Sequence, residues 1–325
     1  MPENGTPDIV VMGASAGGVE ALRRVVSVLP ADLEASVFIV LHTLATAESL
    51  LPHVLSRVGA LPALAAEDRA LIEAGKIYVA PPDRHLLFHN SEMRVVRGPK
   101  ENRHRPSIDV LFRSAALHYG RRVIGVLLSG ADDDGTAGMK AIKRRQGITV
   151  IQDPLDAAYP EMPASALRTV GPDFTLPVSE IGCAVADLVS GKLVKIERGV
   201  MSEPVDKSLE RNDEGDSTDD RLLGPPSVYT CPDCNGTLWE LQDGELLRYR
   251  CRVGHAYSAE SMIEANTDAV ERALWSAVKT LEESASLSRR IAQKTGMLRE
   301  ELSSKAEERE EHARVIRGLL VEGTG

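Results

Sequence analysis

IVVMGASAGGVEAL, residues 9–22, runs from an apolar segment through a cluster of small residues into a helix. Ile9–Met12 has no polar position, as a strand buried on both faces requires. Val19–Val28 carries helical spacing. Between them, Gly13-Ala14-Ser15-Ala16-Gly17-Gly18 places a serine at a tight strand-to-helix turn. Its neighbours are too small to shield the hydroxyl, which is the G-x-S-x-G logic of a nucleophile elbow. The helix behind it offers unpaired N–H groups and a positive dipole end, so Ala16 and Gly17 are candidate positions for holding a substrate oxyanion. Two plainer roles compete. Ser15 can cap the helix, or the glycines can cradle a dinucleotide pyrophosphate. The second role needs G-x-G-x-x-G and an acidic residue after the second strand. Here the glycines stand at 13, 17 and 18, and the second strand ends in His42.

The same alternation continues outward. Val37–Leu41 and Val123–Leu128 are further all-apolar strands, Lys76–Ala80, Leu86–His89 and Met93–Val96 are short strands, and Ile148–Gln152 is another. Helical spacing covers Leu50–Val58, Ile108–His118, Gly138–Arg145, Pro163–Thr169 and Val178–Leu188. Apolar strands separated by helices predict an α/β fold, a doubly wound, mostly parallel sheet covered on both faces. In such sheets ligands bind at the carboxyl edge. His42 stands at that edge, and Val123–Leu128 runs toward it into Ser129-Gly130-Ala131-Asp132-Asp133-Asp134-Gly135. A carboxylate there can fix the imidazole tautomer while His42 takes the Ser15 proton. Spacing leaves open which of the three aspartates does so, and a solvated loop or a divalent-cation site is the alternative for the acidic run.

The net charge of −10 argues against a broad nucleic-acid surface, because such surfaces need clustered positive charge. The start has no basic, apolar leader, and no apolar run reaches the ~18 residues of a membrane span. These features predict a cytoplasmic protein that neither binds nucleic acid nor inserts into a membrane.

Several longer stretches resemble the catalytic domain of the CheB-type chemotaxis protein-glutamate methylesterases: IVVMGASAGGVEAL (9–22), VFIVLH (37–42), IYVAPPDRHLLF (77–88), RPSIDVLFRSAA (105–116), GVLLSGADDDGTAGM (125–139) and YPEMPASAL (159–167). The resemblance covers about residues 8–192. It implies a serine hydrolase that demethylates glutamate methyl esters, and often deamidates glutamines, on receptor proteins, with no cofactor for catalysis. It implies Ser15 as nucleophile, His42 as base and Asp134, just before Gly135, as the acid. Met162 and Pro163 match a stretch that lines the family's active site. The family often reads G-M-G-x-D-G at the acid, so Ala131 takes the place of a methionine near the substrate, and two extra charges flank the acid and are expected to raise carboxylate pKa values. A receiver domain usually precedes this domain and only about eight residues do so here, so phosphorylation within the same chain is not expected to regulate it.

Residues 196–226 form an acidic linker whose stretch 201–220 has too little apolar content to order itself. The domain reading is therefore 1–195 methylesterase-like, 196–226 linker, 227–257 a zinc-ribbon-like module and 258–325 a helical hairpin or coiled coil. Cys231-Pro-Asp-Cys234 is followed after sixteen residues by Cys251-Arg-Val-Gly-His255. Three thiolates and one imidazole at this separation fit a structural, tetrahedral zinc site. Strand-like residues lie at Thr237–Gln242 and Leu246–Tyr249, and Gly254 permits a tight turn. Cys183 is expected to be a buried apolar filler and Trp275 a core residue of the tail. The tail's apolar stripe includes Ala269, Val270, Leu274, Val278, Leu281, Leu287 and Ile291, so helix-mediated self-association is a candidate role. Glu300–Glu311 is expected to be solvated. The competing reading is a non-catalytic signalling adaptor that binds partners through the zinc module and the helices.

Overall fold

A computed structural model of the chain describes residues 7–46, 49–89, 92–193, 226–243, 246–294 and 299–322. It divides into two compact units, Met1–Ser261 and Met262–Gly325. Most of the predicted linker lies outside the described residues.

The first unit opens with β1 (Ile9–Ala14), α1 (Gly18–Ser27), β2 (Ser36–Leu41), α2 (Leu51–Val58), β3 (Ala63–Ala65) and β4 (Ile77–Val79). A hairpin of β5 (His85–His89) and β6 (Glu92–Val96) stands apart from the main sheet. The chain continues through α3 (Ile108–Tyr119), β7 (Val123–Leu127), α4 (Thr136–Arg144), β8 (Ile148–Gln152), α5 (Glu161–Val170), β9 (Phe174–Leu176) and α6 (Val178–Val189). Seven parallel strands form the sheet in the order β3-β4-β2-β1-β7-β8-β9. The chain builds outward from β1 on one side, then returns beside β1 and builds the other side. That reversal makes β1 and its neighbours the switch point where a crevice opens at the carboxyl edge.

Strand periodicity of two explains the two cores. Val10, Met12 and Ala14 point to one face and pack with Leu22 and Val25 of α1 and Ile181 and Val185 of α6. Ile9 and Val11 point to the other and pack with Leu111 and Phe112 of α3 and Met139 and Ile142 of α4. Both faces are thus covered by helices, as the uninterrupted apolar strands predicted. Edge strands β3 and β9 have three residues each, too few for a periodic signal.

Farther along the chain, β10 (Pro226–Thr230), β11 (Thr237–Asp243), β12 (Leu246–Cys251) and β13 (Ala256–Ser258) form an antiparallel four-stranded sheet in sequence order. Gly254 turns the chain between β12 and β13 at φ 109°, a conformation that favours glycine.

The second unit holds most of α7 (Ala259–Lys294) and α8 (Arg299–Glu322). They run antiparallel, with Arg317 bonded to Glu282, Arg289 to Glu310 and Arg309 to Ser288. Ala285, Ala292, Ala306 and Ala313 are buried, and small side chains permit close helix approach. Two expectations need correction. Cys183 is exposed, because its position on α6 faces away from the sheet. Trp275 is 43% exposed, and its indole N–H reaches Glu271 one turn back rather than a core. Val270, Leu287 and Ile291 of the apolar stripe are exposed as well. Among the described residues no helix is long and apolar enough to cross a membrane.

Candidate active site

Ser15, His42 and the loop after β7 meet at one rim because three adjacent strands end level with one another. Ala14 is in register with Leu41, and Gly13 with Leu127. Backbone bonds carry the register past the strand ends: His42 N donates to Ala14 O at 3.1 Å and Ser15 N to Ser129 O at 3.0 Å. Gly17 then starts α1 at φ 72°, a left-handed conformation suited to glycine, and leaves Ser15 partly exposed at the helix N-terminus.

The His42 ring stands between hydroxyl and carboxylate, with Nδ1 3.2 Å from Ser15 Oγ and Nε2 2.9 Å from Asp134 Oδ2. A carboxylate only accepts, so the ring proton belongs on Nε2, and the Nδ1 lone pair faces the serine. Burial lowers the His42 pKa and outweighs the hydrogen bond to Asp134, which raises it; nearby His104 lowers it further. The imidazole is therefore neutral near pH 7, as a proton acceptor must be.

Asp134 is fully buried. Its Oδ1 accepts from Asn102 Nδ2, Ser107 Oγ and Asp109 N, and its Oδ2 accepts from Ile108 N as well as from His42. Ser107 precedes α3, so the carboxylate sits on that helix's N-terminal amides and positive dipole end. Burial pushes the Asp134 pKa up, but the hydrogen bond and charge of His42, with the Asn102 amide, hold it well below the usual carboxylate range. The like-charge penalty expected from the acidic run falls elsewhere. Burial raises Asp133 to about 7 despite a hydrogen bond from Ser258, and burial plus Asp134 raises Asp109 to about 6. Asp132 stands farther out and lies 3.2 Å from His104 Nε2. The His104 ring stacks on His42, with centroids 3.6 Å apart and planes 12° apart, and so covers the imidazole from solvent.

The other substrate candidates divide by exposure. Ala16, Gly17 and Ala131 reach the surface beside Ser15. Met162 and Pro163 are buried in α5. A Cβ built on Gly130 would lie 2.5 Å from Met162 Cε and 2.8 Å from Ser15 Cβ, so only glycine fits between the two side chains.

The chain from residue 10 to 185 matches the protein-family model described as CheB methylesterase. The chain belongs to the CheB methylesterase family. A protein of Leptospira interrogans is 37% identical over 175 residues, which are 54% of this chain and 91% of that one. The protein-glutamate methylesterase/protein-glutamine glutaminase 5 of Anaeromyxobacter dehalogenans is 38% identical over 180 residues, 54% of this chain and 49% of that one. The chain thus spans about half the length of the latter. The crystal structure of the Thermotoga maritima CheB methylesterase catalytic domain superposes with a TM-score of 0.54 at 29% identity, covering 57% of this chain and all of that one. Sequence reasoning missed Asn102, His104 and Ser107 within this CheB-family domain. The available signal was the polar run Glu101–Ser107 directly ahead of α3 at the carboxyl edge.

Beyond the part matched by the CheB family model, Cys231, Cys234, Cys251 and His255 come together, with all four ligand atoms within 4.8 Å of one another. Cys234 Sγ is 3.6 Å from Cys251 Sγ, and His255 Nδ1 is 3.5 Å from Cys251 Sγ and 3.7 Å from Cys231 Sγ. Tetrahedral bonds of ~2.3 Å to sulfur and ~2.0 Å to nitrogen give edges of roughly 3.5–3.8 Å, so the group can hold a metal ion. Turns built by Asn235 N on Cys231 O and Gly254 N on Cys251 O bring each ligand pair to one point.

Proposed function

We propose that this chain hydrolyses the side-chain methyl ester of glutamate residues, and the side-chain amide of glutamine, on a signalling protein of the chemoreceptor type. The supporting observation is the single imidazole that spans Ser15 Oγ and Asp134 Oδ2 at hydrogen-bonding distances. Ser15 Oγ attacks the ester carbon while its proton passes to His42 Nδ1. The oxyanion that forms faces the N-terminal amides of α1 at Ala16 and Gly17. Collapse of the adduct expels methanol, or ammonia from an amide, which leaves with the proton from Nδ1. Water, deprotonated by the same nitrogen, then attacks the acyl-serine, frees the glutamate carboxylate and restores Ser15. Asp134 keeps its charge and stabilises the imidazolium.

In the same reading the Cys/His cluster is a structural zinc site. Four protein donors leave no open position for a reacting water, so it takes no part in the chemistry. An adaptor without activity would have no need for a neutral buried imidazole poised on a partly exposed serine. Ser15→Ala tests the reading: methanol release from a methylated receptor fragment should fall by roughly 10⁶ in kcat, the scale seen when a triad nucleophile is removed. Turnover within tenfold of wild type removes the assignment.

A further inference from the structure

One side chain of the seam beside the Cys/His module, Asn102, reaches the catalytic carboxylate directly. Residues 100–102 run beside β13: Asn102 N donates to Ala256 O at 2.8 Å, and Ala256 N to Lys100 O at 3.3 Å. The Asn102 amide then faces both ways. Its Nδ2 donates to Asp134 Oδ1 at 3.0 Å and to Asp109 Oδ2 at 2.9 Å. Its Oδ1 accepts from Ser258 N at 3.0 Å and from Ser261 Oγ at 3.3 Å. Only this orientation pairs every atom, since a flipped amide would aim its oxygen at two carboxylates and its NH₂ at a backbone N–H.

Two further contacts fix the same seam. Glu101 is buried between Arg113 of α3 and Arg248 of β12, and although burial pushes its pKa up, Arg113, Arg250 and Arg248 bring it to about 2. Asp133, next to the acid, lies near Ser258. All of the module's contributions come from β12, β13 and the residues just after them, and two of the four metal-binding candidates, Cys251 and His255, stand at the junction of those strands. A four-stranded module this small buries few side chains, Leu238, Tyr249 and Tyr257 among them. In a module of this size a bound metal contributes to folding free energy.

We propose that metal binding at Cys231, Cys234, Cys251 and His255 sets the catalytic acid through Asn102: the loaded module clamps this positioning residue against Asp134, and loss of metal releases it and lowers turnover at Ser15. The proposal rests on the hydrolase reading above. Without the Asn102 donor the Asp134 charge is shared less, so it holds the His42 proton more tightly. The acid limb of the pH–rate profile then moves to higher pH.

The test uses the full-length chain, zinc-loaded and after chelation, as wild type and as Asn102→Ala. Chelation of wild type should lower kcat about ten- to hundredfold, the worth of one hydrogen bond to a charged group. KM should change little and the acid limb should move upward. Asn102→Ala should show the same profile while zinc-loaded, and chelation should then cost it less than threefold more, because coupled sites are not additive. Hydrogen exchange at the Ile108 and Asp109 amides, both donors to Asp134, should speed up at least tenfold on chelation of wild type. The proposal is overturned by equal fold losses in both proteins, by unchanged exchange after metal has left, or by failure of the purified chain to hold stoichiometric zinc. If loaded wild type neither turns over ester nor reacts at Ser15 with a fluorophosphonate, the hydrolase reading fails, and exchange still judges the clamp separately.

Discussion

Replacing Asp134 with asparagine leaves shape and volume nearly unchanged but turns one acceptor into a donor. Five donors converge on the carboxylate, three on Oδ1 and two on Oδ2. Either orientation of the new amide therefore sets its NH₂ against donors that cannot withdraw, since Asp109 N on one side and Ile108 N on the other belong to the backbone of α3. If the NH₂ faces His42, the imidazole must move its proton to Nδ1, and the lone pair that faced Ser15 Oγ is lost. In another triad the wrong tautomer lowers kcat about 10⁴-fold, which is about 5 kcal/mol at 1.36 kcal/mol per tenfold. If the NH₂ faces the other way, His42 keeps its tautomer but loses the charge that stabilises the imidazolium, which also slows the reaction. A buried backbone donor left unpaired costs about 1–3 kcal/mol of stability in either case, a fall of several degrees in Tm for a domain of this size. Methanol release and thermal unfolding measure the two losses on the same protein. A variant that keeps kcat within tenfold and an unshifted Tm would refute the role given to Asp134 and the hydrogen-bond assignment with it.

His104→Ala should move the acid limb of kcat/KM to higher pH, because the stacked ring both shields His42 from water and opposes its protonation; a limb that stays put or moves down contradicts this. Asp133→Asn should gain stability over wild type as pH rises. The folded pKa of Asp133, about 7, lies above its unfolded value near 3.8, so the native state binds the extra proton and wild type loses stability from pH 4 to pH 7. Urea unfolding at pH 5 and pH 8 should show the difference between the two proteins widening by up to a few kcal/mol, and an equal difference at both would refute the placement.

The all-apolar strands made the sheet legible because a parallel sheet covered on both faces has to be built from them. Ser15 and His42 were legible for the same reason: each directly follows such a strand, and the register of β1 with β2 brings them together. Asp134 was harder, since three aspartates in a row share one environment on paper, and only the fold reveals that the third is swallowed by the N-terminus of α3 while Asp132 stays near solvent. Asn102 and His104 left only a polar run, Glu101–Ser107, that does not say what each side chain meets. Their partners stand far along the chain, Asp134 for one and Ser258 for the other side of the same amide, and nothing local forces that meeting. Cys183 and Trp275 misled for a related reason, because helical spacing says which residues share a face but not whether anything covers it.

A fluorophosphonate reacts only with a serine that a neighbouring base has activated. Labelling the zinc-loaded chain and mapping the adduct by mass spectrometry should find it on Ser15, and His42→Ala should abolish it. An adduct on another serine, or none under conditions that label a known serine esterase, would mean that the hydroxyl, imidazole and carboxylate gathered at this rim do not act together.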